Sequence, residues 1–302
     1  MSKCLVTGGA GFIGSHLVDE LIEQDHEVVV IDNLLLGKEK YINDKANFFD
    51  KDIRKLKEIK SIFSEVEVVF HLAAEPRLPI SIEQPKHAHS INVEGTVNVL
   101  ESARQQDVDS LIFSSTAAVY GDKEELPISE EATLEYKAPY GLHKAIGEEY
   151  SKLYSNFYDL NTVSLRYFNV YGPRKTAEGG YPMVIPIFLQ QRQEGKPLTI
   201  VGDGKQTRDY VHVDDVVRAN IRAWKSDVDN GNVFNIGAGT QVSVNEIAEI
   251  IDGESTHIPE RKGEIRFSEA DIFKAKKRLD WEPQVDFEEG IEELKQWWEQ
   301  NR

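Results

Sequence analysis

Tyr140 and Lys144 stand four residues apart in Tyr-Gly-Leu-His-Lys, a spacing that puts a phenol and an ammonium on one face of a helix. Pro139 directly before them marks a helix start. A phenol ionises at a pKa of roughly 10 in water. A neighbouring positive charge stabilises the phenolate and lowers that value, so the expectation is a base toward a hydroxyl group near neutral pH. Any exposed helix face can carry the same spacing, so the pair needs a partner to mean anything. Ser114-Ser115-Thr116 is the candidate partner: it ends the apolar run that begins at Ser110. Hydroxyls at the carboxyl end of a strand sit where wound α/β sheets bind ligands.

A second constellation opens the chain. Thr7-Gly8-Gly9-Ala10-Gly11-Phe12-Ile13-Gly14 follows the apolar run Cys4-Leu5-Val6 and precedes a helical pattern. Gly8, Gly11 and Gly14 permit a tight turn, close approach of backbone to a diphosphate and close helix packing. The N–H groups of a helix start, here Phe12 and Ile13, then face the anion. Asp32 ends the next apolar run 18 residues after Gly14, where a carboxylate accepts from a ribose hydroxyl and repels a 2′-phosphate. NAD is therefore the expected cofactor. Asn33 beside Asp32, and Asp52-Ile53 after a third strand region, are candidates to flank the adenine. A solvated Asp next to a core Ile would look the same.

The elements that must hold these residues alternate. Cys4–Val6, Val28–Ile31, Val66–Leu72, Ser110–Ser114 and Asn161–Tyr167 are short, β-branched-rich runs, as buried parallel strands are. Gly14–Gln24, Asn92–Gln105 and Tyr140–Tyr158 carry helical spacing between them. This alternation predicts an α/β fold with a doubly wound parallel sheet of Rossmann type. After Gly172 the grammar changes. Pro173, Gly179-Gly180, Pro182, Pro186 and Pro197 punctuate the chain, short strands follow at Leu198–Val201 and Val233–Ile236, and Phe287–Trp298 is an amphipathic helical stretch. The reading is an NAD-binding domain over 1–172 and a smaller mixed α/β lobe over 173–302, with a returning segment near 205–225. Trp297-Trp298 reads as helix packing.

Charge and composition narrow the partners. A formal net charge of −17 over 302 residues repels nucleic acid and anionic membranes, so neither is an expected partner. No apolar run nears the ~20 residues of a membrane span. Met1-Ser2-Lys3 leads straight into the first strand with no leader-like stretch, and the expected location is the cytoplasm. Cys4 is the single cysteine and reads as a small buried hydrophobe. No metal site is read: His87 and His89 are two apart, wrong for one helix face, and no carboxylate–histidine cluster accompanies them.

Taken together these stretches resemble the extended short-chain dehydrogenase/reductase family, in its nucleotide-sugar 4-epimerase branch. The resemblance spans essentially the whole chain. Besides the glycine turn and the Tyr140/Lys144 pair, it rests on His71-Leu72-Ala73-Ala74, Asn92-Val93-Glu94-Gly95-Thr96 and Ser114 to Gly121. Arg166 to Pro173 and Arg208-Asp209-Tyr210-Val211-His212-Val213-Asp214-Asp215 complete it. The resemblance implies catalysis by Thr116, Tyr140 and Lys144. It implies cofactor contacts from Leu72, Ala73, Ala74, Asn92 and Phe168, with Tyr140 and Lys144 also touching the cofactor. It implies that Asn169, Arg208, Arg261 and Glu264 hold the nucleotide diphosphate and the nucleotide, and the guanidinium forks of Arg208 and Arg261 suit a diphosphate in so acidic a chain. A homodimer through two sheet-flanking helices is a further implication.

Ala117-Ala118 follow Thr116 where related dehydratases and decarboxylating enzymes carry acids. The expectation is oxidation and reduction at C4 alone, with NAD regenerated each turn. Glu75 to Ile82 is similar to the segment of epimerases that accept N-acetylated sugars. Ser268 aligns with a position that is small where an N-acetyl group must fit, although an exposed loop serine would match equally. UDP-glucose and UDP-N-acetylglucosamine are joint expected substrates. UDP-glucuronate epimerisation, another nucleotide-sugar dehydratase or reductase, and a non-enzymatic NAD-binding protein are the alternatives.

Overall fold

The computed structural model describes residues 1–175, 183–228, 231–260 and 266–301. The N-terminal part runs β1 (Lys3–Thr7), α1 (Phe12–Glu23), β2 (Glu27–Asp32), β3 (Asn47–Asp50), α2 (Leu56–Ile59) and β4 (Val68–His71). It continues with α3 (Leu78–Glu83), α4 (Pro85–His89), a π-helical turn (Ser90–Glu94), α5 (Gly95–Gln105), β5 (Ser110–Thr116) and α6 (Pro139–Tyr158), then β6 (Asn161–Tyr167) and β7 (Asn169–Tyr171). The remainder runs α7 (Val184–Gln193), β8 (Leu198–Val201), β9 (Thr207–Arg208), β10 (Tyr210–His212), α8 (Val213–Lys225), β11 (Asn232–Ile236), β12 (Val242–Ser243), α9 (Val244–Ile251), β13 (Ser255–Ile258), α10 (Phe273–Leu279) and α11 (Phe287–Gln300).

Among the described residues the main sheet has seven strands in the order β11-β6-β5-β4-β1-β2-β3, every pair parallel. β4 is buried at all four positions, which explains why its sequence is a continuous apolar run and not an alternation. Helices cover both faces, with one apolar layer around Leu17, Val30, Phe70 and Leu165 and another around Leu5, Ile59, Leu100 and Phe113. Chain order reverses between β1 and β4. That switch point opens a crevice at the strands' carboxyl ends, and both the glycine turn after β1 and the segment after His71 lie there.

The second core joins Tyr171, Phe188, Ile200, Tyr210, Ile247 and Ile291 with partly buried Trp297 and Trp298 packed against it. Local chemistry fixes its helices: Ser243 and Glu246 form a reciprocal capping box on α9, and Asp286 caps α11. α8 starts with Asp214 and Asp215 and ends with Arg222 and Lys225, complementing the helix dipole. It packs on α1, and Val216 and Ala219 join the apolar layer around Leu17 and Leu165. Asp215 ties the two ends of this region together. Its carboxylate accepts from the N–H groups of Gln284 (2.8 Å) and Val285 (3.2 Å), and its carbonyl accepts from the Trp281 indole at 2.9 Å. The strand near 233–236, which sequence alone groups with the short C-terminal strands, pairs with β6 in the main sheet.

Candidate active site

The glycine turn is sterically committed. Gly8 has φ of +76°, and a Cβ there would lie 2.7 Å from the Ala73 nitrogen. A Cβ on Gly14 would lie 2.2 Å from the Gly8 carbonyl oxygen, so α1 can sit this close to the turn only without a side chain. Gly11 caps α1 and offers no side chain to its first N–H groups, leaving those of Phe12 and Ile13 for a ligand. Asp32 stands at the end of β2 and accepts from Ala10 N–H at 3.0 Å and Leu34 N–H at 2.8 Å. Burial raises its pKa, opposed by those two bonds. Asn33 donates to Asp52 at 3.4 Å, so these two candidates meet at one edge of the crevice, and Arg54 chelates the Asp52 carboxylate. Ile53 is buried against Gly95. The residues present fit a dinucleotide: a clash-tight glycine cradle, uncapped helix N–H groups and a carboxylate at the ribose end.

The opposite wall of the crevice is held by a directed hydrogen-bond chain. Ala73 N–H reaches Thr7 Oγ1 at 3.3 Å, Thr7 Oγ1 lies 2.7 Å from His71 Nδ1, and His71 Nε2 lies 3.0 Å from Thr96 Oγ1. Thr96 in turn donates to the Asn92 carbonyl at 2.8 Å. That last bond uses the only Thr96 proton, so His71 must donate from Nε2 and accept at Nδ1 from Thr7. His71 is fully buried and neutral, its pKa pushed down to about 3 by burial first and by the Lys144 charge second. Asn92, on the π-helical turn, accepts from Glu75 N–H at 2.7 Å and donates to its carbonyl at 3.0 Å. The segment Leu72-Ala73-Ala74 is thus anchored at both ends.

Thr116, Tyr140 and Lys144 converge on this crevice. Thr116 caps a short 3₁₀ turn over Ala117–Val119, accepting from Ala118 N–H at 3.2 Å, and its hydroxyl is hydrogen-bonded to the Tyr140 side chain. Tyr140 is the second residue of α6, and its N–H donates to Ser81 Oγ at 3.3 Å. Lys144 is buried, donates to the Ser114 carbonyl at 2.7 Å and lies 4.9 Å from the Phe113 ring centroid. One expectation is corrected here. Set by the protein's own groups, the Tyr140 pKa is raised, not lowered. Burial dominates, the bond to Thr116 opposes it, and the Glu75 charge adds to the rise. Lys144 offers little relief, because burial brings its own pKa down to about 7 despite the Glu148 carboxylate.

On the substrate side, Phe168 is buried and its N–H donates to Ile236. Asn169 donates from its side chain to the Asp209 carbonyl at 3.0 Å. Arg208, in β9, donates to the Thr207 carbonyl at 2.8 Å. Ser268 is 9% exposed, so it is not a loop-surface serine. Arg261 and Glu264 lie outside the described residues. His212, Asp214 and Glu293, from three elements, bring potential cation ligands within 4.8 Å of one another, a grouping that no local spacing announces. His212 Nδ1 caps α8 by accepting from Asp214 N–H, which leaves the proton on Nε2 facing Glu293 at 3.8 Å, a donor and not a ligand. Sequence reasoning named Ser115 in the hydroxyl run and Arg166 in a resembling stretch without joining them and missed Glu148; the three form a buried polar cluster behind the catalytic candidates. The one signal for Glu148 is its position four residues after Lys144.

Residues 4–237 match the NAD dependent epimerase/dehydratase family. The chain is 44% identical over 307 residues to a putative UDP-glucose 4-epimerase of Methanocaldococcus jannaschii, covering 98% of each. Among solved structures it is similar to the UDP-glucose 4-epimerase of Thermotoga maritima with UDP-glucose (TM-score 0.94, 40% identity, 99% of each chain). It is also similar to the UDP-N-acetylglucosamine 4-epimerase of Methanobrevibacter ruminantium in complex with UDP-N-acetylmuramic acid (TM-score 0.95, 34% identity, 100% and 99% covered). The chain belongs to the NAD-dependent epimerase/dehydratase family. Its fold is the Rossmann-type α/β fold of that family, and NAD is its cofactor.

Proposed function

We propose that this chain is an NAD-dependent UDP-sugar 4-epimerase. Its substrates are UDP-glucose/UDP-galactose, UDP-N-acetylglucosamine/UDP-N-acetylgalactosamine, or both. The observation that carries this is the Thr116–Tyr140–Lys144 cluster at the crevice with only Ala117 and Ala118 following Thr116. A base is present, and the acids that elimination would use are missing from that turn. NAD, when bound, accepts and returns hydride at its nicotinamide. Tyr140 takes the proton of the C4 hydroxyl through a hydrogen bond shared with Thr116. Lys144 holds the nicotinamide ribose and, when charged, favours the phenolate. In the transient 4-keto sugar, once it has turned over in the site, Tyr140 gives the proton back to the C4 oxygen as hydride returns to the opposite face of C4.

In this reading residues 1–172 bind NAD and 173–302 form the substrate lobe, with the stretch near 205–225 returning to the first domain. Asn169, Arg208, Arg261 and Glu264 hold the nucleotide diphosphate and the nucleotide. The small buried Ser268 supports N-acetylated substrates. The protein acts in the cytoplasm; no helix among the described residues is long and apolar enough to cross a membrane. It acts as a homodimer: α6 exposes Leu142, Tyr150, Leu153 and Phe157 along one stripe, with Phe157 73% exposed, and a second copy would cover it. The test is a panel of UDP-sugars, UDP-glucuronate included, incubated with the purified protein without added cofactor. C4 epimers should form, and Tyr140→Phe should abolish them. Full turnover by Tyr140→Phe, or a 4-keto-6-deoxy product, would sink the proposal.

A further inference from the structure

The last three residues of β5 are joined to α6 by three consecutive links. Thr116 bonds Tyr140, the Ser114 carbonyl accepts from Lys144, and the Ser115 hydroxyl donates to Glu148. The α6 partners are spaced 140, 144 and 148, one helical turn apart each time, so they form one column facing the strand. The first two belong to the proposed catalytic set. Glu148 does not, yet it is only 5% exposed and ionically paired. Arg166 of β6 clasps it with two parallel bonds, Nε at 2.9 Å and a terminal nitrogen at 2.7 Å. Arg166 also donates to the Tyr120 hydroxyl at 2.8 Å and the Glu130 carbonyl at 3.2 Å. Tyr120 donates to Asn235 at 2.6 Å, and Asn235 N–H donates to the Glu130 carboxylate at 2.8 Å. The cluster is therefore built, saturated and rigid.

We infer that Glu148 is a positioning residue for the proposed reaction: with Ser115 and Arg166 it seats the end of β5 on α6 and sets a fixed negative charge one turn behind the Lys144 ammonium. The inference rests on the epimerase reading for the assay and on geometry for the role. The groups around Lys144 can be named. His71 from β4 faces it and is neutral, Phe113 and the Ser114 carbonyl of β5 are uncharged, and Glu148 is the anion acting on it. Around Glu148 stand Arg166 and Tyr120 from one side and Ser115 from the other. Burial alone would strip Lys144 of its proton; Glu148 opposes that. Without the carboxylate Lys144 titrates at lower pH, the phenolate of Tyr140 loses its cationic neighbour, and the basic form of Tyr140 is reached only at higher pH.

The experiment compares wild type, Glu148→Gln and the double variant Glu148→Gln/Arg166→Gln. The double variant removes the pair as a unit and leaves no unmatched guanidinium inside. The readouts are the pH profile of kcat for UDP-galactose conversion and an ultraviolet titration of the Tyr140 phenolate, taken as wild type minus Tyr140→Phe. Glu148→Gln should move the ascending limb and the phenolate titration upward by about one pH unit, with about a tenfold fall in kcat on that limb, and the double variant, which removes both charges of the pair, should move them the same way by less. KM should stay within about twofold, since no substrate contact changes. Glu148→Asp should restore part of the shift. Unmoved limbs in a folded double variant, with Tyr140→Phe inactive, overturn the inference and leave the epimerase reading standing. An active Tyr140→Phe overturns the epimerase reading itself.

Discussion

His71 lets one buried side chain be tested by pH alone. It is fully buried, donates to Thr96 and accepts from Thr7, and its pKa is held at about 3. In the unfolded chain an imidazole takes up a proton near pH 6.5. Between those values the unfolded state binds a proton that the folded state refuses, so stability is complete above pH 6.5 and falls as the pH drops toward 3. The loss approaches about 1.4 kcal/mol per pH unit, or about 2 kcal/mol between pH 7 and pH 5. Gln at this position is uncharged at every pH and can still donate to Thr96, while losing the bond from Thr7. His71→Gln should therefore be less stable at pH 7 by about 1–2 kcal/mol. Its further loss on going to pH 5 should be about 2 kcal/mol smaller than that of wild type. Urea unfolding of both proteins at pH 7 and pH 5, with NAD held constant, measures the double difference. His16, His26, His143 and His212 also titrate low because of burial, but they are common to both proteins and cancel. If His71→Gln loses as much as wild type between the two pH values, the buried neutral imidazole and the directed chain built on it are wrong.

Three other substitutions probe the remaining supports. Gly14→Ala drives a methyl group to 2.2 Å from a backbone oxygen, so the turn must shift; about 1–3 kcal/mol of stability and most of the co-purifying NAD should be lost, read by unfolding and by cofactor released on denaturation. Asp32→Ala strands the Ala10 and Leu34 N–H groups and removes the charge that repels a 2′-phosphate; calorimetry should give about tenfold weaker NAD binding and a narrowed preference over NADP. Arg166→Met leaves Glu148 buried without its guanidinium, which costs about 3–5 kcal/mol and lowers the thermal midpoint by about 10 °C.

The doubly wound core was legible because its strands are buried on both faces and its helices are not. Val68 to Phe70 needs no tertiary information to read as an inner strand. Which sheet a short strand joins is a different matter. Asn232–Ile236 and Leu198–Val201 look alike as sequence, yet the first pairs with β6 and the second with β13. Nothing local distinguishes them, since the choice is made by α8 returning over α1. At the crevice, the glycine turn and the place of Asp32 at the end of β2 were legible because a tight turn and a strand end are local features. Glu148 and Arg166 were not, because a buried ion pair between a helix and a strand leaves no periodic mark. The protein's own contribution to the Tyr140 shift was not legible for the same reason: spacing gives the ammonium next door, while burial, which outweighs it among the protein's groups, is tertiary.

That corrected sign bears on how one phenol can serve both halves of an epimerisation. In the proposed reaction Tyr140 acts as a base while C4 is a hydroxyl and as an acid while C4 is a ketone. A phenol held low at all times would do the first well and the second poorly. Burial keeps Tyr140 neutral by default and also keeps water from screening whatever charge stands beside it. Its protonation then follows local charge closely: a positive ring favours the phenolate, and a neutral ring restores the phenol. Lys144, with Glu148 behind it, is the protein's own part of that field, and the cofactor ring, cationic only when oxidised, would be the part that changes within a turnover. The desolvation that raises the Tyr140 pKa is thus compatible with the proposed chemistry, and it is what would let the same residue give back the proton it took.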